Sequence, residues 1–190
     1  MEEEPRIPGL AECLQLMQDH AMLANIRRHS LVVARLAIQL LQGLSDMQPG
    51  KPQAGMELVL AGALLHDIAK TPCLNTKCDH AKIGADICLK EGYPEVAAVV
   101  GQHVRLSVFD VAGYEAGRFS ALELVHYADK RVRHHTVVSL DERLDYILER
   151  YGDNNPERCQ AIELHFQQCA RLERLLFRWL PFPPQELGIS

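Results

Sequence analysis

Apolar residues recur along most of the chain at intervals of three, four and seven positions, the periodicity of helices that bury one face. Start and stop signals divide the pattern into helices near residues 9–19, 23–44, 56–70, 79–91, 94–103, 119–131 and 140–151, and a last one opening at Asn155-Pro156. The best strand candidate, Val137-Val138, is too short to predict a sheet. The pattern therefore predicts an all-α bundle of about seven to eight helices.

The polar and glycine-rich stretches between these helices predict loops, not a domain boundary. Residues 45–55 form one loop, and residues 105–118 form a second. An ordinary surface connection is the simpler interpretation of this second loop, and the alternative is a cover over the substrate with Tyr114 or Arg118 touching it. We therefore expect residues 1–190 to be a single domain, with a core at about 20–135, C-terminal helices at about 139–180 and a proline-rich tail at 181–190. The first few residues and this tail are expected to be either disordered or docked on the surface.

Composition narrows the class of protein. The hydrophobic fraction of 47% supports a real core, and the net charge of −5 argues against nucleic acid as the general partner. No apolar run reaches the roughly 20 residues that span a bilayer, and the acidic N-terminus lacks the order of a secretory signal. The six cysteines show no disulfide-like spacing, so we expect reduced thiols in a cytoplasmic protein.

Histidines and aspartates lie on the inner faces of several predicted helices. An ionised carboxylate such as Asp67, inside a helix that is apolar almost all round, needs a cation, strong hydrogen bonds or a proton. A divalent metal ion would neutralise it and give the buried imidazoles a common target. Spacing alone leaves this reading and ordinary core histidines about equally open. The candidate ligands are His29, His66, Asp67, His80, His103 and Asp129.

Five short motifs resemble the HD-domain superfamily of metal-dependent phosphohydrolases, in its HDIG-type branch. They are Arg28-His29-Ser30, the stretch from Leu64 through His66-Asp67 to Lys70, His80 to Ala85, Gly92 to Val96 leading to His103, and Tyr127 to Lys130. The resemblance covers about residues 20–135, and the order of His, His-Asp, His, His and Asp is complete. Ala69 replaces the glycine of the HDIG pattern, a mild departure.

The resemblance implies a division of labour among the candidate residues. His29, His66, Asp67 and Asp129 would form a first metal site, and Asp67 would bridge to a second site with His80 and His103. One or two divalent ions (Fe, Mn, Ni, Co or Zn) would activate water for attack on a nucleotide or other phosphate ester. The catalytic candidates are Asp67 and Lys70, and the substrate-binding candidates are Lys70, Lys130 and Arg28.

Two other functions fit the same residues. The ligand pattern is similar to that of myo-inositol oxygenase, a mixed-valent di-iron enzyme, and an HD module can also bind a nucleotide without turnover. Lys70, one turn after His66, favours a phosphate-containing ligand over the oxygenase. Late apolar residues such as Leu164 and Trp179 fit packing inside the chain or between subunits, so a homo-oligomer remains open.

Overall fold

The computed structural model describes residues 6–51, 53–76 and 78–189. Helices are the main secondary structure of this part of the chain, and strand within it is limited to one two-residue hairpin, which confirms the predicted all-α class. In chain order the helices are α1 (Leu10–Asp19), α2 (Ala24–Met47), α3 (Met56–Leu65), α4 (Lys70–Cys73), α5 (His80–Lys90), α6 (Pro94–Gln102), α7 (Val111–Glu115), α8 (Ala121–Lys130), α9 (Leu140–Tyr151) and α10 (Pro156–Leu176). Two 3-10 turns follow, at Phe177–Trp179 and Pro184–Glu186.

The helices begin where side chains can satisfy the free backbone N–H groups of a first turn. The Asp79 carboxylate accepts from the backbone N–H groups of residues 81 and 82, and Asn155 accepts from that of residue 158. Ser139 and Glu142 form a reciprocal capping box at the start of α9. These starts agree with the predicted ones because capping is decided by neighbouring residues.

Some predicted boundaries were wrong. The helix expected over 56–70 ends at Leu65, residues 66–69 form turns, and the short α4 follows. The helix expected to end at Gly43 continues to Met47. Gly43 provides room for packing and does not end the helix, since a Cβ atom there would lie 2.8 Å from Leu180 Cδ2. The loop expected over 105–118 contains α7, which is capped by Asp110. The strand candidate is part of a two-residue antiparallel hairpin, β1 (Val132–Arg133) with β2 (Thr136–Val137).

The core is built where α3 packs against α2, α6 and α8. From Val59 to Leu65, α3 is buried on nearly every side, as its continuous apolar sequence predicts. Gly62 allows α6 to approach closely, since a Cβ atom there would lie 2.8 Å from Val99 Cγ1. Helix α5 pairs with α6, and α9 pairs with α10, so that the last two helices stand beside the central group.

The tail after α10 docks on the body of the protein, so of the two predicted alternatives, disordered or docked, the second is confirmed for this segment. Leu187 is 2% exposed, and the Gly188 N–H donates to the side-chain carbonyl of Gln39 on α2. Residues 1–5, for which the same alternatives were open, lie outside the described part of the chain. On α10, Leu172 and Leu176 are buried internally, whereas Leu164 faces outward.

Two of the cysteines form a covalent link that their spacing did not predict. The expectation of six reduced cysteines was wrong, since Cys73 and Cys78 form a disulfide with a Cα–Cα distance of 5.3 Å. The chain turns back between α4 and α5, which brings these two residues within disulfide range although their spacing did not suggest it. Among the described residues, no helix has both the length and the apolar character to cross a membrane.

Candidate metal centre

The six candidate ligands come from five helices or their ends and meet at one place. His29 lies on α2, and Asp129 lies one residue before the end of α8. His66 and Asp67 occupy the turn directly after α3, His80 opens α5, and His103 directly follows α6. Most of these residues lie at or near the end of a helix, and the helix ends meet here, which brings the side chains together.

Asp67 is the centre of this group. Its carboxylate is 1% exposed, and the Nε2 atoms of four histidines surround it. Those of His29 and His66 lie 3.9 and 3.4 Å from Oδ2. Those of His80 and His103 lie 3.3 and 3.7 Å from Oδ1. The arrangement divides into two groups that share Asp67, one with His29 and His66 and the other with His80 and His103, each with ligand atoms within 4.8 Å of one another.

Asp129 completes the first group. Its Oδ1 lies 3.0 Å from His29 Nε2 and 3.7 Å from His66 Nε2. The residue is 7% exposed, so both carboxylates of the cluster are buried. Two ionised carboxylates this deep in an apolar bundle need compensating positive charge.

Backbone carbonyls hold three of the imidazoles in the tautomer that suits a metal ligand. Nδ1 of His29 donates to the carbonyl of His134 at 3.0 Å. Nδ1 of His66 and of His103 donate to the carbonyls of residues 63 and 100, both at 2.7 Å. A carbonyl can only accept, so Nδ1 carries the hydrogen, and Nε2 of a neutral ring presents a lone pair to the cluster. This outer hydrogen bond is the usual support of a metal-binding histidine.

At His66 a lone pair therefore faces the Asp67 carboxylate without a hydrogen between them, whereas His29 Nε2 lies at hydrogen-bond distance, 3.0 Å, from Asp129 Oδ1. Within the described residues, His66 Nε2 and Asp67 Oδ1 are buried and have no hydrogen-bond partner. A proton on some of the rings or a cation among them would remove this conflict. Imidazole and carboxylate donors together suit mid-row divalent metals, so the residues fit one or two such ions.

Electrostatic effects in the cluster show how strongly its charges depend on each other. Burial by itself would raise the pKa of Asp67, but Lys70 and His66 outweigh it and hold that pKa well below its usual value. For Asp129, burial is likewise outweighed, chiefly by Lys130 and His29, and its pKa is also well below the ordinary one. Burial and the neighbouring His66 hold the pKa of His103 well below its usual value, which favours the neutral, metal-binding form.

Each carboxylate of the cluster also carries a lysine. Lys70 Nζ donates to Asp67 Oδ2 at 2.7 Å, and Lys130 Nζ donates to Asp129 Oδ2 at 2.8 Å. Both lysines line the cavity above the cluster. The structure therefore brings these two substrate-binding candidates to the site, but it places Arg28 exposed on α2 and outside the lining of this cavity.

The sequence singled out other residues that the structure places elsewhere. Tyr114 and Arg118 line a separate, smaller cavity beside α8. His126, which lies on α8 one turn before Asp129, is 2% exposed, and its Nδ1 donates to the carbonyl of His103 at 2.8 Å. Burial lowers the pKa of His126 to about 3, so it is a neutral support of the adjacent ligand segment.

The cavity above the cluster has a volume of about 450 Å³ and lies between the helices that carry the candidate ligands and the pair α9–α10. Sequence reasoning missed its far wall, which these last two helices supply. Apolar side chains there include Ile147, Ile162 and Phe166. Basic side chains that line the cavity are Lys70, Arg105, Lys130, Arg143 and Arg150, against the two carboxylates Asp67 and Asp129.

A family model for the HD domain matches residues 26–133, more than half of the chain and the whole stretch that carries the six residues. The chain belongs to the HD-domain family. In this HD domain, Ala69 has a φ of −95°, so the place of the motif glycine demands no positive φ and alanine fits it. The match ends before α9 and α10, so the far wall of the cavity lies outside the family pattern.

Two relatives of this chain match it over only part of their own length. The chain is 33% identical over 99 residues to a tRNA (cytidine(56)-2'-O)-methyltransferase of Thermoplasma volcanium, which is 52% of this chain and 26% of that protein. It is 27% identical over 158 residues to the protein of the same name from Picrophilus torridus, which is 78% of this chain and 42% of that protein. The chain thus spans less than half of these relatives. No solved structure matches it.

Proposed function

We propose that this HD domain is a metal-dependent phosphohydrolase acting on a nucleotide or another phosphate ester. The observation that carries the proposal is the cluster around Asp67, where four imidazole Nε2 atoms face a buried carboxylate at the floor of a basic cavity. Such a donor set suits divalent transition metals, and a basic cavity above it suits phosphate.

The ligand assignment follows the two groups of donors. We assign His29, His66, Asp67 and Asp129 to one metal ion, and Asp67, His80 and His103 to a second. When bound, a divalent ion supplies an activated water and neutralises charge on the phosphoryl group. Fe, Mn, Ni, Co and Zn all accept imidazole and carboxylate donors, so the residues favour none of them strongly.

The chain's own residues would orient the substrate. Lys70 and Lys130 point their ammonium groups at the cluster from the side of the cavity, where each can donate to a phosphoryl oxygen while keeping its carboxylate contact. The carbonyls behind His29, His66 and His103 keep these rings in a fixed direction. Phe166 and Ile162 offer an apolar surface to the organic part of the substrate. Because α9 and α10 close the cavity, we propose that residues 1–190 act as a single domain.

The test is an activity screen on protein of known metal content. The chain is purified anaerobically, analysed for metal, stripped with chelator and reloaded with each of the five metals in turn. Release of phosphate or nucleoside is then measured with p-nitrophenyl phosphate, bis-p-nitrophenyl phosphate and nucleoside mono-, di- and cyclic phosphates. We expect turnover with at least one metal, its loss in Asp67→Asn, and its retention in Asp86→Asn, which changes an exposed carboxylate on α5.

Other outcomes separate the competing functions. Consumption of dioxygen with a mixed-valent iron signal, and no phosphate release, would replace the hydrolase by the di-iron oxygenase. Retention of nucleotide without turnover would indicate a binding module. The names of the two relatives refer to a tRNA, so unmodified tRNA is included as a further ligand; tight binding of it would change the expected partner from a small molecule to RNA.

A further inference from the structure

Arg143 is the one basic residue of the cavity wall that is almost fully buried. It lies on α9 and is 7% exposed, whereas Arg105 and Arg150 on the same wall are exposed. Along α9 it shares a stripe with Leu140, Ile147 and other inward-facing residues, a place where an amphipathic helix ordinarily carries an apolar side chain. A guanidinium at such a place requires a particular reason.

No counter-charge for this guanidinium is found within the described residues. Arg143 takes part in no ion pair there, although Lys70 and Lys130 are each paired with a carboxylate. Its Nε is buried and has no hydrogen-bond partner among these residues. The centroid of the Tyr146 ring lies 5.4 Å from the guanidinium carbon. The face of this ring stabilises the cation, but it does not accept a hydrogen bond from the N–H groups in the guanidinium plane. Arginine cannot lose its proton in a protein, so the charge persists.

We propose that Arg143 binds an anionic group in the cavity, at a subsite separate from the two lysines. A planar guanidinium with free N–H groups matches the oxygens of a phosphate or carboxylate, and burial strengthens this contact. Arg150, about two helical turns further along α9, lines the same wall and adds positive charge. The subsite lies outside the matched HD region, since that match ends at residue 133.

The lysine pair on one side of the cavity and Arg143 on the other together indicate a substrate class. Lys70 and Lys130 face the metal ligands, and Arg143 faces the cavity from the opposite pair of helices. A substrate that uses both carries a second anionic group besides the phosphoryl group that reacts, as a nucleoside diphosphate does. This extension rests on the proposed phosphohydrolase function, whereas anion binding by Arg143 does not.

The binding test uses metal-free protein and requires no turnover. Inorganic pyrophosphate and inorganic phosphate are titrated calorimetrically into the full chain after treatment with chelator. We expect pyrophosphate to bind, and Arg143→Met to weaken it by about 10- to 100-fold, the range for a hydrogen-bonded charge. Arg174→Met, which alters an exposed arginine of α10 outside the cavity lining, should leave the affinity unchanged. Arg143→Lys should give an intermediate loss, because it keeps the charge without the fork.

A second measurement shows whether the variant is folded and whether the buried charge is a burden without ligand. In the absence of anions, Arg143→Met should unfold at a higher temperature than the wild type, since it removes an unpaired buried cation and keeps the volume. Pyrophosphate should then raise the unfolding temperature of the wild type more than that of the variant. Equal pyrophosphate affinity in wild type and Arg143→Met, or no binding by the wild type, would overturn the proposal.

Turnover separates this inference from the function on which its extension rests. If the HD domain hydrolyses nucleotides, Arg143→Met should reduce kcat/KM for a nucleoside diphosphate about tenfold more than for the monophosphate. Equal reductions would reject the second-anion substrate class and leave the hydrolase intact. Absence of hydrolysis together with Arg143-dependent pyrophosphate binding would reject the hydrolase and leave the anion subsite.

Discussion

Replacement of Asp67 by asparagine changes the carboxylate that all four histidines surround, while it keeps the shape of the side chain. Oδ2 accepts from Lys70 Nζ at 2.7 Å, and Oδ1 lies 3.3 Å from His80 Nε2. In the variant, the amide oxygen can take the place of Oδ2 and still accept from Lys70 Nζ, while the amide NH₂ takes the place of Oδ1 beside His80 Nε2. We therefore expect the metal-free variant to unfold within a few degrees of the metal-free wild type.

The metal-bound proteins should differ much more. An ion present at about 100 times its Kd stabilises the wild type by about 2.7 kcal/mol. A chain of this size gains about 2–4 °C per kcal/mol, so the unfolding temperature should rise by about 5–11 °C. Even the neighbours of ligands are worth about 10- to 100-fold in metal affinity, and Asp67 belongs to both groups of donors. With a 100-fold weaker Kd, the same metal concentration adds only about 0.4 kcal/mol, or about 1 °C.

Differential scanning fluorimetry of chelator-treated protein, with and without Mn²⁺, measures these shifts. Asp86→Asn serves as the matched control, because it removes an exposed carboxylate from the helix that begins with His80. It should shift as the wild type does. A metal-induced shift of the same size in Asp67→Asn and in the wild type would refute the assignment of Asp67 as a shared ligand.

Three further predictions concern packing and the cysteines. Gly62→Ala should lower the free energy of unfolding by about 1–2 kcal/mol in a urea titration, because its Cβ would lie 2.8 Å from Val99 Cγ1 and a β-branched side chain in a helix cannot rotate away; an unchanged midpoint would show that α3 and α6 can separate freely. Leu187→Ala should cost about 2–4 kcal/mol because the side chain is 2% exposed, whereas Ile189→Ala, at 71% exposed, should cost almost nothing; equal costs would mean that the tail does not dock in solution. With iodoacetamide at neutral pH and no reductant, Cys159 should be the main site of labelling, because burial raises the pKa of each of the other three free thiols to about 11 or 12. Mild reductant should then make Cys73 and Cys78 reactive, and labelling of these two before reduction would contradict the disulfide.

Much of the helical order was readable from neighbouring residues. The caps at Asp79, Ser139 and Asn155 depend on contacts two or three positions away, so the sequence contains the whole interaction. The break after α3 was not readable in the same way. Apolar residues continue with the same spacing from Leu65 to Ile68, and it is the turn at residues 66–69 that directs His66 and Asp67 to their neighbours.

The candidate site shows the same division. The types and order of the six residues were visible in the sequence, and their resemblance to HD proteins gave them roles that spacing alone left open. Arg143 was passed over, although an arginine on the inward stripe of α9 is a signal that sequence could have supplied. What that signal lacked was the other side of the cavity, because the pairing of α9 with α10 beside α4 and α8 involves residues far apart in the chain.

By itself, the sequence determined that the chain forms amphipathic helices, where most of them begin, and which polar residues face inward. Local hydrogen bonds and the 3.6-residue period control these properties, and both act over a few positions. Only the tertiary structure decided that four imidazoles surround Asp67, that Cys73 meets Cys78, and that a buried guanidinium overlooks the same cavity. Those outcomes depend on how whole helices pack, because a shift of one helix by a single turn would move each of these groups several ångströms from its partner.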